Sequence, residues 1–211
     1  MTVDVRRVGR GGVLAALCGV LAACDVVAGG GGSAEGLLKP DVQASASARP
    51  GGPEGAVVGG RDLEGFSVEE GEPAEVEVEV DACAPLASAL AGAVVGEPSS
   101  VAVREVAGEG AEVRVVVAEY GAGQAAGALD AVGAAFDSCA EGFQGTVDGE
   151  RRQFGKVVAA TAPEGADQAV GLSAGGTRAC VLRVGDTVAY LSGTPDVPGA
   201  LLDAQLLELL G

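Results

Sequence analysis

Glu75, Glu77 and Glu79 alternate with Val76, Val78 and Val80, a period of two that predicts a strand with one wet face and one buried face. The period then lengthens. Leu86, Leu90 and Val94 recur every four residues and predict a helix. Asp81 caps it, Pro85 enters its first turn, and Gly96 and Pro98 stop it. Two strands follow at 99–107 and 112–120, joined by Gly108-Glu109-Gly110 as a hairpin. A second helix over 124–139 places Leu129, Val132, Phe136 and Cys139 on one face, and Gly142 ends it. Further strands are expected at 153–161, 169–173, 179–184 and 187–192, the last two joined by a tight turn at Gly185-Asp186. A final helix over 198–210 carries Leu202, Leu206 and Leu209 on one side. Strands and helices mixed with hairpins predict an α+β domain: an antiparallel β-sheet with two or three helices packed on it.

Before residue 74 this periodicity is missing. Arg6, Arg7 and Arg10 precede an uncharged stretch of thirteen residues, 11–23. That is too short to span ~30 Å of hydrocarbon, so it reads as the core of an export signal. It ends in Leu21-Ala22-Ala23-Cys24, which resembles a bacterial lipobox. The resemblance implies cleavage before Cys24 and transfer of diacylglycerol to its thiol. Two acyl chains would anchor the protein stably at the membrane. Cys18 would be discarded with the signal. Arg6-Arg7 resembles a twin-arginine motif only weakly, which leaves the export route open. Residues 24–73 hold Gly29-Gly30-Gly31-Gly32-Ser33, alternating Ala and Ser, and Pro40, Pro50 and Pro53. They predict a flexible tether reaching roughly 35–40 Å. The expected organisation is a signal peptide at 1–23, a lipidated tether at 24–73 and one α+β domain at 74–211.

Composition narrows the chemistry. The 211 residues include no histidine, which removes Ser-His-Asp triads, Cys-His pairs and HExxH zinc sites. A net charge of −17 argues against nucleic acid as a partner, because phosphate binding needs clustered Lys and Arg. Aromatic residues are 3%, so the core must be built from Ala, Val and Leu. Abundant Ala, Gly and Val with scarce Lys fits a high-GC actinobacterial source. An exported chain meets an oxidising compartment, where disulfides form. Three thiols remain beside Cys24, allowing three pairings: Cys83, Cys139 and Cys180. Cys83 shares the apolar stripe of the first helix and Cys139 that of the second, so Cys83–Cys139 is the expected bridge. Cys180 alternates with Leu182 and Val184 and is expected as a buried free thiol.

Four motifs touch on chemistry. Gly171-Leu172-Ser173-Ala174-Gly175 matches GxSxG, but a nucleophile elbow needs a following helix and a His. Gly121-Ala122-Gly123-Gln124-Ala125-Ala126-Gly127 opens a helix as a dinucleotide fingerprint does. No second parallel strand with an acidic ribose ligand follows it, so no cofactor is expected. The row Glu75, Glu77, Glu79 reads as a solvated strand face, since alternating residues do not converge on a cation and no calcium loop is present. Paired carboxylates are plentiful, but no pair stands among apolar neighbours that would separate two pKa values. No catalytic or metal-binding residue is assigned.

Cys83-Ala84-Pro85-Leu86-Ala87, the strand ending at Tyr120 before an Ala-rich helix, and Phe136-Asp137-Ser138-Cys139-Ala140-Glu141-Gly142-Phe143 form one set of motifs. Phe154-Gly155-Lys156-Val157 and Asp167-Gln168-Ala169-Val170 complete it. Together they resemble actinobacterial lipoproteins carrying a PknH-type extracellular sensor domain, over 74–211. The resemblance implies an α+β, disulfide-bonded domain with a cleft for a small ligand. The expectation is a non-enzymatic lipoprotein on the extracytoplasmic face of the cell membrane, binding a small apolar ligand or an envelope partner. The alternatives are a structural accessory lipoprotein acting by protein contact alone and, third, a carboxylate-based envelope hydrolase.

Overall fold

The valine-rich strand Ala111–Glu119 lies inside the architecture, with Val113, Val115 and Val117 buried on one face and Val116 and Ala118 on the other. The structure, a computed structural model, describes residues 51–61 and 63–211. Its strands are β1 (Ser67–Glu70), β2 (Val76–Val78), β3 (Ser100–Gly108), β4 (Ala111–Glu119), β5 (Phe143–Val147), β6 (Glu150–Phe154), β7 (Val158–Ala160), β8 (Gln168–Ala174), β9 (Thr177–Val184) and β10 (Thr187–Thr194). Its α-helices are α1 (Ala84–Ala91), α2 (Gln124–Cys139) and α3 (Gly199–Leu210). Seven strands form an antiparallel sheet in the order β1-β3-β4-β10-β9-β8-β7, and β2-β5-β6 form a second, smaller antiparallel sheet.

Side chains alternate across the large sheet. Val116, Ala118, Val181, Val188 and Tyr190 face α1, α2 and the small sheet. Val113, Val115, Val117, Cys180, Leu182, Ala189 and Leu191 face α3 and the segment 56–63. The fold is therefore α+β, as the strand pattern predicts, and its large sheet carries a core on each face. Cys83 and Cys139 are joined in a disulfide, with Cα atoms 5.8 Å apart. It ties the start of α1 to the end of α2, the expected pairing. Cys180 is free and buried.

Three expectations need correction. The folded part does not begin at residue 74. Ala56, Val57, Val58 and Leu63 are buried in the second core, and β1 pairs with β3 at the sheet's edge. The Gly- and Pro-rich composition hides a short apolar run whose backbone finds partners on α3. Gln205, the buried polar side chain of that helix, donates from Nε2 to the Ala56 carbonyl at 2.7 Å. Its Oε1 accepts the Val58 N–H at 3.2 Å. Cys24, the signal and the tether up to residue 50 lie outside the described residues.

Second, α1 ends at Gly92 and not near Gly96. Gly92 takes a left-handed φ of 64°, and a Cβ there would lie 3.2 Å from the Cβ atoms of Arg114 and Ser192. Asp81 makes no side-chain cap; it opens a short 3-10 turn, Asp81–Cys83, ahead of the helix. Third, the predicted strand at 153–161 is two strands belonging to different sheets, β6 and β7.

Candidate functional site

The far edge of the large sheet stops short of its covering helix, and this leaves a groove. Its walls are Gly133, Phe136 and Asp137 of α2 and Ala159, Val170, Gly171 and Leu172 of β7 and β8, enclosing about 260 Å³. Gly133 contributes no side chain where a Cβ would meet nothing within 4 Å. Phe136 and Val170 are half-buried against the first core, and Leu172 beneath them is buried. Asp137, exposed, is the one charged residue of the lining. The disulfide at Cys139 fixes the helical wall two residues beyond Asp137. The chain leaving α2 is fixed as well, since the Val157 N–H donates to the Ala140 carbonyl at 2.7 Å. Beyond the groove, β7 is the terminal strand in the sheet order, so its outer edge has no strand partner among the described residues. This arrangement can hold an apolar side chain or a small apolar molecule. Its one group with acid–base capacity is the exposed Asp137 carboxylate at the rim.

At the other end of α1, two hydroxyls close a buried ring. The Val95 N–H donates to the Tyr190 hydroxyl at 3.4 Å, and the Tyr120 hydroxyl donates to the Val95 carbonyl at 2.8 Å. The two hydroxyls are 2.7 Å apart. Each phenol owns one proton, and Tyr120 spends its proton on Val95, so Tyr190 donates to Tyr120. Burial raises the Tyr120 phenol above its ordinary value. Burial raises Tyr190 further, reinforced by its bond to Tyr120. The ring pins residues 93–95 to the sheet. It faces the core and lines no cavity described here.

The motifs fall into place around this geometry. Ser173 lies within β8, paired with Val158 and Arg178, and the Gly175-Gly176 turn leads to another strand. GxSxG is thus strand-turn-strand, and its Leu172 serves the groove floor. At the start of α2 the Gly123 N–H donates to Asp186 Oδ1 at 3.2 Å, so the protein's own carboxylate occupies the helix end where a phosphate would sit. The acidic row is exposed, with Val76 and Val78 turned toward the first core. Among the described residues no three metal-ligating side chains gather, and Gln205 is the buried polar side chain of the core. The Cys180 thiol is pushed up to about 12 by burial, against a weaker pull from Arg178. That thiol stays protonated and inert at neutral pH.

Sequence reasoning placed Phe136 on the apolar stripe of α2 and Leu172 in a strand, but did not bring them together. The signal was Gly133 three residues before Phe136, a gap followed by a large side chain on one helix face.

No family model and no curated protein matches the chain. Among solved structures, it is similar to the extracellular domain of PknH from Mycobacterium tuberculosis. The TM-score is 0.48 at 9% identity, over 74% of this chain and 91% of that chain. It is also similar to an uncharacterised Rv0999 ortholog from Mycobacterium smegmatis. There the TM-score is 0.37 at 18% identity, over 71% of this chain and 91% of that one.

Proposed function

We propose that this protein is an extracytoplasmic, lipid-anchored binding module without catalytic activity, engaging an envelope partner through the groove between α2 and the β7–β8 edge. The observation that carries this reading is the groove itself: open, apolar, and stiffened by a disulfide at its helical wall. A volume of about 260 Å³ falls below the roughly 300 Å³ at which enclosed small-molecule pockets begin. An exposed wall beside a strand edge that is unpaired among the described residues suits a protein side chain better than an engulfed ligand. The buried disulfide supports an oxidising compartment. The lipobox at Cys24 supports the anchor.

Two measurements test the reading. Cell fractionation should find the wild-type chain with the membrane, while Cys24→Ser should remain unprocessed and lose its acylation. A photoreactive amino acid in place of Ala159 should give one discrete adduct with an envelope protein, and Phe136→Glu should abolish it. A diffuse ladder or no adduct defeats the partner reading. A small apolar molecule is the second reading of the same groove, favoured by the Phe136, Val170 and Leu172 lining. Native mass spectrometry of protein purified from its own envelope would show that molecule as added mass.

A further inference from the structure

Among the described residues the two sheets end in four edge strands, β1 and β7 on the large sheet and β2 and β6 on the small one. Three of them carry charge. β1 holds Glu69 and Glu70, β2 holds Glu77, and β6 holds Glu150, Arg151 and Arg152. Charges along an edge discourage a further strand from pairing there. β7 reads Val158-Ala159-Ala160, without a charge, and Val158 is 47% exposed. It is the edge left open to an added strand.

β7 is also the edge that borders the α2 groove. Directly paired residues share a face, and Ala159 stands opposite Leu172, which is buried in the first core. Ala159 therefore points to the groove, and Val158 to the other face. A strand laid along β7, about 4.8 Å beyond it, puts its residue opposite Ala159 at the groove, on the side of Phe136. Ala159 and Gly133 leave that space open, so the side chain that fits is large and apolar. β7 itself supplies only Ala159 on this face, so two copies paired edge to edge would leave the groove unfilled. The local charge is negative. Glu141 is taken up by Lys156, whereas Asp137 makes no ion pair among the described residues. The last turn of α2 has no basic residue to offset the helix's negative end. A cation on the incoming strand complements both.

We propose that the partner enters as an extended segment that adds an eighth strand to the large sheet along β7. Its residue opposite Ala159 carries a leucine-sized apolar side chain, and a lysine or arginine stands two residues away on the same face. Main-chain hydrogen bonds to β7 supply affinity, and the groove selects the side chain. The proposal rests on the groove reading above and adds to it how the partner attaches and what sequence pattern it carries.

The test is an NMR titration of the ¹⁵N-labelled full chain in detergent micelles with the peptide acetyl-Thr-Lys-Val-Leu-Val-Lys-Thr-amide. Saturable shifts are expected at 158–160 and 133–137, with slowed amide exchange in β7. Alanine in place of the leucine should weaken binding about tenfold. Glutamine in place of both lysines should weaken it about threefold, and Asp137→Asn should remove that difference. Successive amides of a strand face opposite edges. Of two peptides N-methylated at the leucine or at the valine after it, one should therefore lose about fivefold or more and the other bind like the parent. Gly133→Leu should fill the groove and abolish the preference for leucine over alanine, while the difference between the methylated peptides remains. The proposal is overturned if shifts do not saturate, if they centre away from β7, or if the two methylated peptides bind alike. Equal binding with shifts kept at 133–137 would overturn strand addition and leave the groove reading standing. That reading falls separately, on a missing adduct at position 159 in the envelope.

Discussion

One sheet carries two covers, and they are held down by different means. On one face, α1 and α2 are joined to each other by Cys83–Cys139, across a sequence separation of 56. On the other, α3 and the segment 56–63 meet through the Gln205 amide, across a separation of 149 to the Ala56 carbonyl. The first cover is locked covalently. The second depends on apolar burial and on two hydrogen bonds that water can replace once the cover lifts. The stapled face also carries the candidate groove, so the covalently held side presents it. The unstapled side stores no covalent restraint, and its one thiol, Cys180, stays buried and unpaired. A fold can thus be covalently held on one face of its sheet and reversibly closed on the other.

The largest effect should follow from removing the staple. Cys83→Ala with Cys139→Ala should cost roughly 4 kcal/mol by the chain-entropy model, measured by urea unfolding. Reduction of the wild type should match it. A loss on the order of 1 kcal/mol or less would mean that packing alone holds the α1–α2 cover.

Next comes Gln205→Leu. It leaves the Ala56 carbonyl and the Val58 N–H buried without partners, at about 2–3 kcal/mol. Hydrogen exchange should show protection lost over 56–70 while α1 and α2 keep theirs. Equal loss on both faces would erase the distinction between them.

The smallest effect is expected at the tyrosine ring. Tyr190→Phe should cost about 1–2 kcal/mol, because the Val95 N–H loses its acceptor. Both phenols titrate higher in the folded chain than in the unfolded one. Their contribution is therefore complete below about pH 10, the unfolded value, and fades as pH rises above it. Tyr120 and Tyr190 are the two tyrosines of a chain without tryptophan. Absorbance at the tyrosinate band should accordingly rise together with loss of secondary structure, not before it.

Much of this was legible in the pattern of apolar residues. The α2 stripe, the hairpin of β3 and β4, and the meander of β8, β9 and β10 appear where their periodicity is strong. What failed did so for local reasons. β5 faces the core with Phe143, Gly145 and Val147, and glycine at the middle inward position erased the alternation. The segment 56–63 looked like tether because its apolar triplet is too short to announce itself; its support comes from Gln205, far along the chain. Two glycines could end α1, and only contact with Arg114 and Ser192 chose Gly92. The Cys83–Cys139 pair was readable because both thiols sit on predicted helix stripes. The groove was not, since it exists where α2 and the sheet edge fail to meet, and sequence records residues rather than gaps.

The pairing of β4 with β10 has a consequence for the order of synthesis. Both flanking blocks are built from neighbouring segments, but the seam between them, Thr187↔Glu119 to Thr194↔Glu112, joins strands made far apart in time. Until the last hairpin emerges, β4 presents a valine-rich border with its hydrogen-bonding groups open, a ready template for association with another nascent chain. The staple between Cys83 and Cys139 lies wholly in the earlier block, so it can close before the seam does. The newborn protein would then wait as a half-shell, already riveted, for the strands that dry its other side.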